Sequence, residues 1–147
     1  MKIKFKKLTH NAQEPYQGTE ASAGYDLTAT SRFVDDFGNI VYGTGIAVEI
    51  PEGYAGLIFP RSSIYKKELS LTNCVGVIDA DYRGEISAKF KGALPINRPM
   101  KEPIATYEIG DRICQLVIVP CANVQWEEAE ELSNTSRGAN GYGSTGK

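Results

Sequence analysis

The chain has 147 residues, is 41% hydrophobic and carries a net charge of −2, with an isoelectric point near 5.5. That length suits one domain, able to bury roughly 68–70% of its unfolded surface without a disulfide or metal staple. The slightly acidic balance excludes sustained binding to polymeric nucleic acid, which needs a basic face. No apolar run reaches the length of a membrane span.

The opening M-K-I-K-F-K-K lacks the apolar core of a signal peptide. Lys2–Lys7 alternates polar and apolar residues and reads as a half-buried strand. Gly45–Ile50 and Ala55–Phe59 flank P-E-G, a hairpin-like turn. Ser62–Glu68 suits one short helix with Ser62 as its cap. Val75–Ile78 and Ile86–Phe90 flank D-A-D-Y-R-G-E, a second hairpin signal. Pro95–Pro103 reads as a loop. Arg112–Val119 is the strongest apolar run, a central strand stopped by Pro120. Asn123–Glu131 stays divided: V-Q-W favours strand and E-E-A-E-E favours helix. From Ser133 the composition turns small, polar and glycine-rich. Fifteen glycines and seven prolines at spread positions fit an all-β sandwich or barrel. The expected division is a core over 1–132 and a flexible arm over 133–147. Cys74, Cys114 and Cys121 have no metal-ligand spacing and read as buried thiols of a cytoplasmic protein.

Chemistry concentrates in a few segments. The single histidine, His10, sits between Thr9 and Asn11 and reads as a surface residue, so acid–base work falls to carboxylates. Asp79 and Asp81 follow an apolar strand in a tight turn and share one face if the chain is extended. Aspartates are also ordinary turn formers. Pro60-Arg61-Ser62-Ser63 joins a guanidinium and two hydroxyls at a possible helix start, an arrangement suited to an anion. Arg112 and Gln115 point to opposite faces of a regular strand, so Arg112 reads as a structural ion-pair partner and Gln115 as the one reaching the site.

The terminal R-G-A-N-G-Y-G-S-T-G at 137–146 combines Arg137, four glycines and Tyr142. Glycines let backbone N–H groups turn toward an anion, and arginine adds a forked donor. Gly141, Gly143 and Gly146 match G-x-G-x-x-G, but only Lys147 follows, so the helix of a dinucleotide site cannot exist. The glycine spacing of a phosphate-binding loop fails too, because Ser144 stands where the lysine should be.

Taken in order, A-G-Y-D-L at 23–27, P-R-S-S at 60–63, N-C-V-G-V-I-D-A-D-Y-R-G-E at 73–85, G-D-R-I-C-Q-L at 110–116 and the terminal segment resemble the five motifs of the trimeric all-β dUTP pyrophosphatases, the dUTPases. The resemblance spans nearly the whole chain. It implies a distorted jelly-roll, barrel-like subunit with one short helix, and a homotrimer with three shared sites. It implies hydrolysis of dUTP to dUMP and pyrophosphate with Mg2+, which limits uracil in DNA and supplies dUMP for dTMP synthesis.

Carried over residue by residue, Asp79 would activate the water that attacks the α-phosphorus, and Arg137 would meet the γ-phosphate. Arg61, Ser62, Ser63 and Gln115 would contact phosphates. Asn73 and the backbone of Gly76, Val77 and Ile78 would read uracil within a tight hairpin. Tyr82 would pack under the deoxyribose and exclude a 2′-hydroxyl. Tyr142 would stack on the base, where many family members carry Phe, and Gly143, Ser144 and Thr145 would donate to phosphates. Asp26 would either hold water of a phosphate-borne magnesium or orient Arg61. The dCTP deaminases share the implied fold, but their catalytic glutamate context is not evident.

Overall fold

The computed structural model describes residues 1–92 and 105–141. The expected Pro95–Pro103 loop and Tyr142, Gly143, Ser144 and Thr145 lie outside them. In chain order the strands are β1 (Lys4–Lys7), β2 (Tyr16–Gln17), β3 (Tyr25–Thr28), β4 (Ser31–Val34), β5 (Ile40–Gly43), β6 (Ile46–Glu49), β7 (Tyr54–Pro60), β8 (Leu69–Leu71), β9 (Gly76–Ile78), β10 (Ser87–Gly92) and β11 (Arg112–Pro120). A 3-10 helix, Ser62–Lys66, separates β7 from β8. Among the described residues the sheets have strand orders β1-β6, β4-β5-β10-β8 and β2-β3-β11-β7-β9. The class is all-β as expected, but these sheets do not close into a barrel.

The larger sheets share one core. β11 lies between β3 and β7, and its near-continuous apolar run suits a strand flanked on both sides. β10 alternates instead: Ala88 and Phe90 are buried while Ser87, Lys89 and Lys91 face outward. Leu27, Tyr42, Ile46, Ile86, Phe90, Ile113 and Cys114 are almost completely buried. Tyr42, Phe90 and Tyr107 pack as a trio with ring centroids 5.6 to 6.1 Å apart, a separation at which edge-to-face contacts are favourable. Tyr42 Oη donates to Tyr107 O at 2.9 Å. Of the thiols, only Cys114 is buried; Cys74 and Cys121 are exposed. Burial pushes the Cys114 thiol up to about 12, so it is unreactive near neutrality.

Several local expectations change once the strands find partners. β6 pairs with β1, whereas β7 pairs with β11 and β9. The P-E-G turn is therefore a step between sheets rather than a hairpin. Likewise β9 pairs with β7 while β10 pairs with β5 and β8, so residues 79–86 also cross between sheets. The residues of β1 are exposed rather than half-buried. Ser62 does not cap the short helix: Arg61 holds the N-cap position with no side-chain cap bond. Asn123–Glu131 forms neither strand nor helix, and every residue from 121 to 141 is exposed. Among the described residues no strand pairs with it.

Asp35 organises the β4–β5 turn. Its Oδ1 accepts from the Phe37 and Asn39 backbone N–H groups and from Asn39 Nδ2, and Lys89 Nζ stands 3.3 Å from Oδ2. These bonds, led by those from Asn39, hold the carboxyl down to about 2. A lowered folded value contributes stability above the ordinary 3.8 that is lost as pH falls toward about 2. Asp35→Ala is therefore expected to lower the urea midpoint at pH 7, with the gap from the unaltered protein narrowing steadily from pH 4 to pH 2. A pH-independent gap would remove the carboxylate from this role.

Candidate active site

The β3–β11–β7 strip of the five-stranded sheet carries the charged cluster. Asp26 on β3 accepts from Arg61 Nε at 2.9 Å and from Arg112 Nη1 at 3.0 Å, one guanidinium on each oxygen. Its side chain is largely covered. Arg61 Nη1 also reaches Ser63 Oγ and Arg112 O, each at 3.3 Å. The Arg112 guanidinium stands over the Tyr16 ring at 5.0 Å, a cation–π contact. Both arginines are thus held in place, and one carboxylate between two guanidiniums leaves the corner net positive.

β11 reaches this arrangement through an irregularity. Its register against β3 shifts between Arg112 and Cys114: Arg112 opposes Thr28, while Gln115 opposes Asp26. Directly opposed residues share a face, and so do Asp26 and Thr28 two positions apart. The bulge therefore turns Arg112 and Gln115 to the same face, where a regular strand would separate them. The ion pair expected of Arg112 is present, but on the Gln115 side of the sheet. Gly24 leaves room for Gln115: a Cβ there would stand 2.8 Å from Gln115 Oε1.

A cleft of about 310 Å³ opens beside this corner, lined by Arg61, Ser63, Lys66, Lys67, Asp111 and Arg112 among others. Lys67 Nζ donates to Thr106 O at 2.8 Å and lies over the Tyr107 ring. The lysines were not singled out from the sequence. A larger groove, about 430 Å³, lies elsewhere and is mainly apolar, with Ile3, Phe5, Val48, Leu116 and Ile118 in its walls.

The 73–85 segment forms a second cluster. Cys74 adopts a left-handed backbone (φ 60°) in the turn between β8 and β9, rare for a side chain other than Gly, Asn or Asp. Gly76 lies against Asn73: a Cβ on it would be 3.3 Å from Asn73 Nδ2. Strand β9 is an edge strand, bonded only to β7 among the described residues. One side of its backbone is therefore open to a ligand. Asp79 begins the following turn, its carbonyl accepting from Tyr82 N–H at 3.1 Å. Asp79 and Tyr82 are both exposed.

The two clusters lie at different levels of β7. Ile78 lies opposite Gly56, near the start of β7, whereas Arg61 follows its end. About five extended residues, roughly 17 Å of strand, separate the two levels. Arg137 stands apart as well, in an exposed turn where Nε donates to Asn140 O at 3.0 Å.

Among the described residues no group of three or more His, Cys, Asp or Glu could hold a metal ion. The Asp26 oxygens are both occupied by arginines. This donor set does not make a resident cation cage among the described residues.

The fold and its charged corner define an all-β protein with an anion-compatible cleft and an open edge strand on the same five-stranded sheet. The dUTPase family model matches residues 10–146, and the chain belongs to that family. It is 44% identical to the deoxyuridine 5′-triphosphate nucleotidohydrolase of Hydrogenobaculum sp. (strain Y04AAS1), covering 99% of each chain. A mutant dUTPase of Staphylococcus bacteriophage 80alpha, solved with dUpNHpp, superposes with a TM-score of 0.84 at 30% identity over 99% of each chain. A mutant dUTPase from phage phi11 of S. aureus, described with a structural Mg(II) ion, matches with a TM-score of 0.72 at 29% identity, over 89% of this chain and 98% of that one.

Gly24→Ala tests the seat of Gln115. The added methyl group is expected to displace the Gln115 amide and lower kcat/KM for nucleotide by about tenfold or more, with little change in melting temperature. An unchanged kcat/KM would show that Gln115 does not need this position.

Proposed function

We propose that this chain hydrolyses dUTP to dUMP and pyrophosphate, in a homotrimer whose sites draw residues from more than one subunit. The observation that carries the shared site is the separation along β7 of the Arg61 corner from the Asp79 turn. That separation favours a second copy as the source of the Asp79 that meets a triphosphate held at Arg61. The exposed tail supports the same reading. Trp126 is 94% exposed and Leu132 87%, and large apolar side chains left bare on one subunit fit burial against another.

In this mechanism Arg61, Ser62, Ser63 and Gln115 hold the phosphate chain, and Asp26 keeps Arg61 aimed. Asn73 and the open edge of β9 at Gly76, Val77 and Ile78 read the uracil edge. Tyr82 lies under the deoxyribose, where a 2′-hydroxyl would find neither room nor partner. Asp79 orients a water and takes its proton as the water oxygen bonds to the α-phosphorus. The bond from that phosphorus to the bridging oxygen breaks, and pyrophosphate leaves with the electron pair. A carboxylate is a weak base, so much of the rate comes from alignment. Magnesium, which would arrive on the phosphates, would supply neutralisation of the charge that builds on the leaving pyrophosphate. The arm over 133–147 closes the site from a neighbouring subunit, with Arg137 at the γ-phosphate and Tyr142 on the base, Gly143, Ser144 and Thr145 donating to phosphates. Its ordering entropy is then spent only when nucleotide is bound. No described helix is long and apolar enough to cross a membrane, and exposed free thiols at Cys74 and Cys121 suit the cytoplasm.

With magnesium, the purified protein is expected to release dUMP and pyrophosphate from dUTP and to leave UTP, dTTP and dCTP nearly untouched. Asp79→Asn is expected to retain dUTP binding and lose at least about 10²-fold in kcat, the low end for a general base. Normal turnover by this variant would end the role given to Asp79. Shared sites have their own test. Asp79→Asn and Arg61→Ala subunits, each inactive alone, are expected to regain activity when unfolded and refolded together, because some mixed sites then hold both native residues. Mixtures as inactive as the separate variants would place each site within one chain.

A further inference from the structure

We propose that Gly84 is a specificity-determining residue, because the space left by its missing side chain is the seat of the Tyr82 ring. A Cβ at Gly84 would stand 2.5 Å from Tyr82 Cζ and 3.0 Å from Cε2, and closer still to the phenol oxygen. The ring therefore lies folded onto its own turn. Its hydroxyl donates to Glu85 O at 3.1 Å, which tethers the far end of the ring. The backbone at Gly84 lies outside the left-handed region, so the contact with Tyr82, and not a backbone requirement, is what glycine answers here.

The tether is stiff because its anchor is clamped. The Glu85 carboxylate accepts from Gly45 N–H at 2.7 Å. The next residue, Ile86, is fully buried and is hydrogen-bonded to the β5–β6 corner. Thr44 Oγ1 donates to Ile86 O at 2.7 Å, and Ile86 N–H donates to Ile46 O at 2.8 Å. At the other end of the turn, Arg83 Nη1 donates to Ala80 O and Tyr82 O at 2.6 and 3.0 Å. Residues 79–86 thus form one braced unit that carries both Asp79 and Tyr82, with the phenol ring pinned at its hydroxyl. Where the ring stands decides how closely it can meet the 2′ position of the sugar.

This inference rests on the proposed role of Tyr82 against the deoxyribose. Since the ring can swing outward without disturbing the buried clamp, a methyl group at Gly84 moves Tyr82 rather than the fold. The experiment is steady-state turnover of dUTP and UTP by the full chain with magnesium, for the unaltered protein and Gly84→Ala, together with their melting temperatures. Gly84→Ala is expected to raise the ratio of kcat/KM for UTP to that for dUTP by about tenfold, the low end of what one methyl group is worth in a shaped pocket. A merely structural effect would lower both turnovers and leave the ratio alone. An unchanged ratio in an active Gly84→Ala protein would overturn the inference while leaving the dUTP reading intact. No dUTP turnover by the unaltered protein would overturn that reading itself. If Gly84→Ala does not fold, Tyr82→Phe carries the test: it adds no atom and removes only the tether. Its ratio is expected to move in the same direction, and a ratio equal to that of the unaltered protein would overturn the pinning of the ring.

Discussion

The Asp26 carboxylate, shared between Arg61 and Arg112, is the interaction on which the charged corner depends. It joins β3, the end of β7 and the start of β11 at one point. Removing a charge from water is costly, and a largely covered carboxylate persists only when its partners are well aligned. Two guanidiniums meet that need and leave positive charge over. The same carboxylate therefore both secures the sheet and presents a cationic face.

The bulge in β11 makes this possible. A regular strand would have sent Arg112 and Gln115 to opposite faces; the register shift after Arg112 turns both toward Asp26. The cost is a locally disrupted ladder. The gain is a charged residue and an amide on one side of a strand whose neighbours Ile113 and Cys114 are fully buried. Core and site are thus built from successive residues of the same element.

The steps between sheets have a similar consequence. Residues 79–86 leave an edge strand of one sheet and enter the interior of another, so they are anchored at both ends yet open along the middle. That combination presents exposed side chains on a stiff support, as a site needs. It also sets the Asp79 turn at the level of the start of β7, far along the strand from Arg61. The two halves of the proposed site thus lie at different levels of one chain, and Trp126 on its tail is bare.

The sequence by itself determined the all-β class, the central strand at Arg112–Val119 and the family, because apolar runs, turn residues and five ordered motifs are properties of the chain read in line. It misjudged what depends on partners. Both expected hairpins do hold a tight turn, but a turn does not say which strand will pair with which. Ser62 had the chemistry of a cap, yet Arg61 took that position in a helix that begins one residue too early for Ser62 to serve. Asn123–Glu131 carried signals for two structures and adopts neither, since a lone segment cannot satisfy its backbone as a strand. The face of Arg112 and the open edge of β9 were decided only by tertiary structure. Each is set by which backbone atoms meet across the sheets, and that meeting is fixed by long-range packing rather than by neighbouring residues.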